Sequence, residues 1–288
     1  MADENLLIGT ADARVELPQF LQGTDRSHTP YINTQQMQGG SQGVTRSAGG
    51  AVSKELRFGR MHQDDMWRID NLVKGVYGNG PIYFFDPFVA NLAPQAWSIP
   101  YLQPGDPVSG YDRTARATVI DTPANPIGLP VHGIDVARDS GVDQSIGFSF
   151  VLPDDKDLAV AIYGKSVSGN ISFTLDWHNG VETMLKLAPA TRAVDSIVPN
   201  NGSDFATLSI SGSGEAEIYG MTLIAVPRYI GSVETVLARY GNVFRAGDGM
   251  AGARVTDQKT GWTEYALGVP WGMAPTSITL TECEWADN

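Results

Sequence analysis

Short alternating segments between Ser145 and Val226 are the feature that most constrains the fold of this chain. In the clearest of them, Ile171–His178, apolar and polar residues alternate strictly, which places one set of side chains on a core and the other toward solvent. Asn179-Gly180 and Asn201-Gly202 are strong turn signals between such segments. Several short strands with regular turns and little helix predict a β-sandwich or jelly roll, with strands at Ser145–Leu152, Leu158–Tyr163, Ile171–His178, Met184–Leu187, Thr207–Ser211 and Glu217–Val226.

The composition agrees with a mainly β protein. The 288 residues include 32 glycines and 17 prolines, too much turn chemistry for a helical bundle. The formal net charge is −12, from 20 basic and 32 acidic residues, which argues against a nucleic-acid-binding protein. Cys283 is the only cysteine, so no internal disulfide or thiolate cluster can form. No apolar run reaches the roughly 20 residues that a membrane helix needs.

Proline spacing and charge predict three parts. Prolines are frequent from Pro94 to Pro130, which favours an extended linker before the acidic sandwich. We therefore predict a β-domain with one helix at residues 1–100 and the sandwich at residues 101–228. Residues 229–288 are too few for a good core of their own, so we expect them to pack back on the first domain.

The first part contains the one convincing helix, predicted from Asp64 to Tyr77. Its apolar stripe is Met66, Ile69, Val73 and Val76, at helical spacing, and Gly78 is expected to cap its end. Before it, Gln35–Gly50 reads as a low-complexity loop that is mobile or ordered by a partner.

An apolar cluster follows the helix. The strand predicted at Ile82–Phe88 loses alternation, so both of its faces need cover. Core packing and a subunit interface are both open interpretations. The residues concerned are Tyr83, Phe84, Phe85, Phe88 and Trp97.

A catalytic or metal-binding constellation is not evident. The four histidines are not part of a Gly-x-Ser-x-Gly elbow or a His-Glu-x-x-His motif. Asp154, Asp155 and Asp157 do not match a calcium-binding loop, and a polar turn explains them. Abundant acidic residues leave a glycosidase open as an alternative. We therefore expect no cofactor, no metal and no enzymatic activity.

A binding surface is the stronger prediction. The outward face of Ile171–His178 carries hydroxyl, carboxylate and imidazole groups that can bind a glycan, with an aromatic ring as a stacking platform. Trp177 lies on the core side by alternation. The candidate glycan-binding residues are Ser172, Thr174, Asp176 and His178, with Tyr163 or Tyr219 as the platform.

The segment Met66–Trp97 carries a resemblance to a known family. Its Gly80–Pro87 stretch (GPIYFFDP) after a short helix resembles minor tail proteins of long-tailed bacteriophages. The overall plan is similar to distal tail proteins, with a tail-hub β-domain and a jelly-roll arm like a carbohydrate-binding module. The last 60 residues depart from that plan.

The resemblance implies a structural, non-enzymatic virion protein. Such a protein assembles in the host cytoplasm, forms a homo-oligomeric ring at the tail tip, and contacts the tail tube, other tip proteins and host glycans. A free carbohydrate-binding module, or an accessory domain of a glycan-active enzyme, is the alternative.

Overall fold

A computed structural model of the chain describes residues 6–18, 26–36, 42–59, 61–87, 89, 91–98, 116–120, 133–138, 146–187, 192–228, 232, 235–236, 247, 249–250, 252–260, 271–272 and 276–282. The elements up to the first linker are β1 (Leu6–Gly9), β2 (Arg14–Leu17), β3 (Arg26–Gln36), β4 (Gln42–Phe58), β5 (Met61–His62), α1 (Gln63–Val73), β6 (Tyr83–Phe85) and α2 (Gln95–Ser98). They are followed by β7 (Arg116–Ile120), β8 (Gly133–Arg138), β9 (Ile146–Val151), β10 (Lys156–Gly169), β11 (Ser172–Asp176), β12 (Glu182–Lys186), β13 (Arg192–Val198), β14 (Phe205–Ser211), β15 (Gly214–Pro227), β16 (Ala253–Thr260), β17 (Trp271–Gly272) and β18 (Thr276–Glu282).

The predicted fold class is confirmed. The described residues are mainly β, with several antiparallel sheets consistent with a β-sandwich. The chain forms two compact units, one from residues 1–30, 50–88 and 252–288 and the other from residues 31–49 and 89–251.

The second unit contains two antiparallel sheets that form a sandwich. One has the strand order β13-β10-β15-β8-β7 and the other β12-β11-β14-β9. Most of the described inward residues of both sheets are buried, as period-2 alternation predicts. These inward residues include Phe173, Leu175, Leu208 and Ile210 on the four-stranded sheet and Leu158, Val160, Ile162 and Leu223 on the five-stranded sheet.

Most of the sandwich strands match the predicted segments. Trp177 is 0% exposed, which confirms its predicted place in the core. Gly180 and Gly202 have φ angles of 83° and 86°, the left-handed conformation that the two Asn-Gly turns require. Strands β7, β8 and β13 were not predicted.

Asn91 hydrogen-bonds to the edge of β15 beyond the end of β8, and in this way it extends the five-stranded sheet. Its side-chain oxygen accepts the backbone N–H of Leu223 at 2.9 Å, and its amide donates to the carbonyl of Met221 at 3.1 Å. The N–H of Leu92 donates to the carbonyl of Leu223 at 2.8 Å. These bonds satisfy backbone groups of β15 that would otherwise be buried without partners.

The first unit is built from segments of the first and the last parts of the chain. Strand β18 pairs with β4 along Phe58–Ser53, and β16 pairs with β18 on its other edge. A separate sheet has the order β2-β1-β6. Lys54 on β4 and Asp86 just after β6 form a buried ion pair, and the Lys54 ammonium lies 5.3 Å from the centre of the Phe84 ring.

The helix prediction was partly wrong. Helix α1 ends at Val73, and Gly75 with a φ of 70° follows its C-cap Lys74, so Gly78 is not the cap. The buried residues are Met66, Ile69 and Leu72, whereas Val76 lies beyond the helix and is 63% exposed. His62 is the N-cap, and its Nδ1 accepts the N–H of Asp64 at 3.3 Å.

The predicted Gln35–Gly50 loop is also corrected. Strand β3 runs through Gln36 and β4 starts at Gln42, so backbone pairing takes up most of this low-complexity stretch. Hydrogen bonds along a backbone ladder need no particular side chains, so the composition gave no strand signal.

Candidate functional site

The six predicted glycan-binding residues do not lie on one surface. Ser172, Thr174 and Asp176 belong to β11 of the four-stranded sheet, and His178 follows that strand. Tyr163 is on β10 and Tyr219 on β15, both in the five-stranded sheet. The sandwich core therefore separates the polar residues from their predicted stacking platforms, and this part of the prediction is corrected.

The outer side of the four-stranded sheet carries an array of hydroxyl groups, which we call the hydroxyl face. The hydroxyl of Ser211 lies 3.0 Å from that of Ser172 and 2.7 Å from that of Thr174, and Ser149 lies 2.8 Å from Thr207. These hydroxyls therefore satisfy one another. Among the described large apolar residues of these four strands, Met184 is the most exposed, at 57%.

His178 sits at one end of the hydroxyl face in a constrained turn. Its φ is 54°, and its N–H donates to Asp176 Oδ1 at 2.8 Å. Nε2 lies 2.7 Å from the Thr207 hydroxyl, and the ring packs on Phe205 with centroids 5.1 Å apart. The imidazole is thus held by Thr207 and Phe205, and Asp176 holds the backbone of the same residue.

The outer side of the five-stranded sheet carries a different group of residues, which we call the tyrosine–carboxylate face. Pairing places Lys165 opposite Glu217 and Glu217 opposite Asp135, so three charged residues on neighbouring strands share one side. Lys165 Nζ lies 3.0 Å from Glu217 Oε2. The face consists of Asp135, Tyr163, Lys165, Glu215, Glu217 and the hydroxyl of Tyr219.

A β-bulge brings Tyr219 to this face. Tyr163 pairs with Gly220 and Gly164 with Ile218, so Tyr219 is the extra residue in β15. Its hydroxyl donates to Glu217 Oε2. The side chain is only 3% exposed, so its ring is not available as a stacking platform.

Tyr163 is the better placed of the two tyrosines. It is half-buried on the same side of β10 as Lys165, and its partner on β15 is Gly220, which has no side chain to cover the ring. Thr222, two residues beyond Gly220, is 3% exposed, and its hydroxyl has no hydrogen-bond partner among the residues that the structure describes.

The charges of the tyrosine–carboxylate face perturb one another. Burial raises the pKa of the Asp135 carboxyl, and the negative charges of Glu215 and Glu217 raise it further. Burial also raises the pKa of Tyr219, with a contribution from its hydrogen bond to Glu217. The hydrogen bond to Glu217 raises the pKa of Lys165.

The residues predicted to form a subunit interface differ in their exposure to solvent. Phe85 is 3% exposed and Trp97 is 1% exposed, and the Trp97 ring packs on Phe148 with centroids 5.1 Å apart. Both side chains are therefore part of the chain's own core. Tyr83 and Phe84 are half-buried, and Phe88 lies outside the described residues.

Sequence reasoning found Tyr163 and Tyr219 but missed Asp135, Lys165, Glu215 and Glu217. These four are brought together by strand register, which composition does not reveal. Within the described ranges, no group of three or more His, Cys, Asp or Glu side chains is arranged to hold a metal ion. A helix long and apolar enough to cross a membrane is likewise not found in the described part of the chain.

Comparisons with known proteins return only structural similarity. No family model matches the chain, and no curated protein matches it. Part of the chain is similar to an arabinose-bound GH51 α-L-arabinofuranosidase, MgGH51, with 10% identity and a TM-score of 0.38 over 49% of this chain. The chain covers 27% of that enzyme's length.

Two other similar structures are carbohydrate-binding modules. TmCBM61, solved with β-1,4-galactotriose, has 12% identity and a TM-score of 0.30, over 40% of this chain and 91% of the module. The CBM22-1 xylan-binding domain of Xyn10C from Paenibacillus barcinonensis has 7% identity and a TM-score of 0.33, over 43% of this chain and 90% of the domain.

Proposed function

We propose that the sandwich unit binds glycans and that the tyrosine–carboxylate face is its contact surface. The observation that carries this proposal is that Tyr163 shares one side of the five-stranded sheet with Lys165, Glu217 and Asp135. An aromatic ring packs on the apolar side of a sugar, while carboxylates and an ammonium bond its hydroxyls.

The hydroxyl face is the weaker candidate. Its serine and threonine hydroxyls already bond one another, and Phe205, its aromatic neighbour, is 6% exposed beneath the His178 ring. A sugar docking there would have to replace existing hydrogen bonds and would find no open aromatic ring among the described residues of the sheet. On the tyrosine–carboxylate face, in contrast, the charged groups are only partly neutralised. They therefore keep hydrogen-bonding capacity for a ligand.

The proposal is tested by calorimetric titration of the full chain with cellohexaose, mannohexaose and β-1,4-galactohexaose. We expect at least one to bind, and Tyr163→Ala to weaken that binding by about tenfold or more, because the stacking surface is lost. Met184→Ala, on the hydroxyl face, is the matched control and should bind as the wild type does. Equal loss in both variants, or no binding of any hexasaccharide, would contradict the proposal.

A second proposal rests on the sequence resemblance of Gly80–Pro87 to minor tail proteins of long-tailed bacteriophages, and of the overall plan to distal tail proteins. We propose that the chain is a non-catalytic virion component at the tail tip, assembled in the host cytoplasm as a ring that presents the sandwich to host glycans. Light scattering coupled to size exclusion tests the ring. A strictly monomeric protein at high concentration, soluble without tail partners, would favour a free carbohydrate-binding module.

A further inference from the structure

We propose that the tyrosine–carboxylate face selects glycans by charge, binding amino-sugar glycans best, neutral glycans less tightly, and uronate-bearing glycans least. This inference rests on the proposed glycan binding and adds to it the ligand class. It follows from how the charges of the face are paired.

The first step is the balance of charge. The charged side chains that the structure describes on this face are the carboxylates of Asp135, Glu215 and Glu217 and the ammonium of Lys165. The register also places Arg116 of β7 on this side, opposite Ala137, so the face has three acidic residues for two basic ones. Glu217 takes the ammonium of Lys165 and also accepts the Tyr219 hydroxyl. Asp135 and Glu215 are therefore the acceptors whose negative charge Lys165 neutralises least.

The second step is the geometry of the repulsion. Asp135 stands directly opposite Glu217, and like charges in that arrangement repel each other across the strands. Asp135 is also half-buried, so solvent screens this repulsion less than at an open surface. A ligand ammonium near Asp135 and Glu215 would relieve the repulsion, whereas a ligand carboxylate would increase it.

The experiment uses the neutral hexasaccharide that binds most tightly in the calorimetric panel. It is compared with two derivatives of the same backbone, one with amines at C6 and one with C6 oxidised to uronate. We expect the amine derivative to bind about fivefold more tightly than the neutral parent, and the uronate about tenfold or more weakly, at low salt. The spread should narrow as salt is raised, because screening weakens exposed charge pairs.

A pair of variants separates the local charges from the net charge of the chain. Glu215→Gln should reduce the preference for the amine derivative and improve uronate binding. Glu182→Gln makes the same charge change at an exposed position on the outer side of the four-stranded sheet, and it should leave the order and spread unchanged.

The outcomes distinguish the two proposals. If the neutral parent binds but all three ligands bind equally, or the uronate binds best, charge selection is overturned and glycan binding stands. If Glu182→Gln changes the selectivity as much as Glu215→Gln does, the net charge of −12 is responsible and the assignment to this face is overturned. If no neutral hexasaccharide binds, the proposed function fails and the charge selection fails with it.

Discussion

At the residue scale, Asp135 shows that the charges of the tyrosine–carboxylate face lower the stability of the folded protein. The burial of this carboxyl and the nearby charges of Glu215 and Glu217 raise its pKa. A carboxyl whose pKa is higher in the folded state binds its proton more tightly there than in the unfolded chain. The ionised form therefore opposes folding, and the penalty develops as pH rises from the unfolded pKa of about 3.9 through the folded pKa.

Asp135→Asn should accordingly stabilise the protein at pH 7. We expect the melting temperature to rise by about 1–3 °C at pH 7 and to match the wild type near pH 3, where Asp135 is protonated in both states. Thermal melts of both proteins across this pH range measure the difference directly.

The control is Asp155→Asn, which makes the same charge change at an exposed turn of the same unit. It should shift the melting temperature by less than Asp135→Asn does. An Asp135→Asn variant that is less stable than the wild type at pH 7 would contradict the account of repulsion.

At the scale of the element, strand register decides what the sequence could and could not predict. Alternation in Ile171–His178 gave the correct core side, because that signal lies within one strand. Lys165, Glu217 and Asp135 come from three strands, and a shift of one residue in any of them would send its side chain to the opposite face. The bulge at Tyr219 breaks the alternation further. The candidate site therefore required the pairing that only the structure provides.

The ion pairing of two strand elements explains why Asp86, in the Gly80–Pro87 segment, is buried. Asp86, which follows β6, is buried with Lys54 of β4, and the ion pair connects elements that belong to different sheets. Removing one partner of a buried pair leaves the other charge in the interior without its counter-ion.

Asp86→Ala should therefore destabilise the first unit by about 3–5 kcal/mol. Chemical denaturation followed by circular dichroism measures this loss. Lys74→Ala removes the exposed Lys74–Asp70 pair, with its 2.5 Å contact, and should cost about 0.5 kcal/mol or less. Equal effects of the two variants would show that the burial of the Lys54–Asp86 pair has no energetic consequence.

At the scale of the whole molecule, the chain consists of two units whose cores are made of different residues. Leu56, Phe58 and Ile278 are fully buried in the first unit, and Phe173 and Trp177 are fully buried in the sandwich. The two sheets of the sandwich lie within the second unit and the sheet β2-β1-β6 lies within the first, so each unit can lose its structure in a cooperative transition of its own.

We expect calorimetric unfolding to show two transitions, and Trp177→Ala to lower only the transition of the sandwich. Truncating a fully buried tryptophan costs about 3–5 kcal/mol, because packing is lost and a cavity remains. Trp177→Phe should cost less, since most of the buried ring is kept and the indole N–H, which has no partner among the described residues, is removed. Asp86→Ala should lower the other transition alone.

A single transition that both variants lower equally would show that the two units unfold as one cooperative block. A fully folded Trp177→Ala protein that loses glycan binding while Tyr163→Ala retains it would move the binding surface away from the tyrosine–carboxylate face.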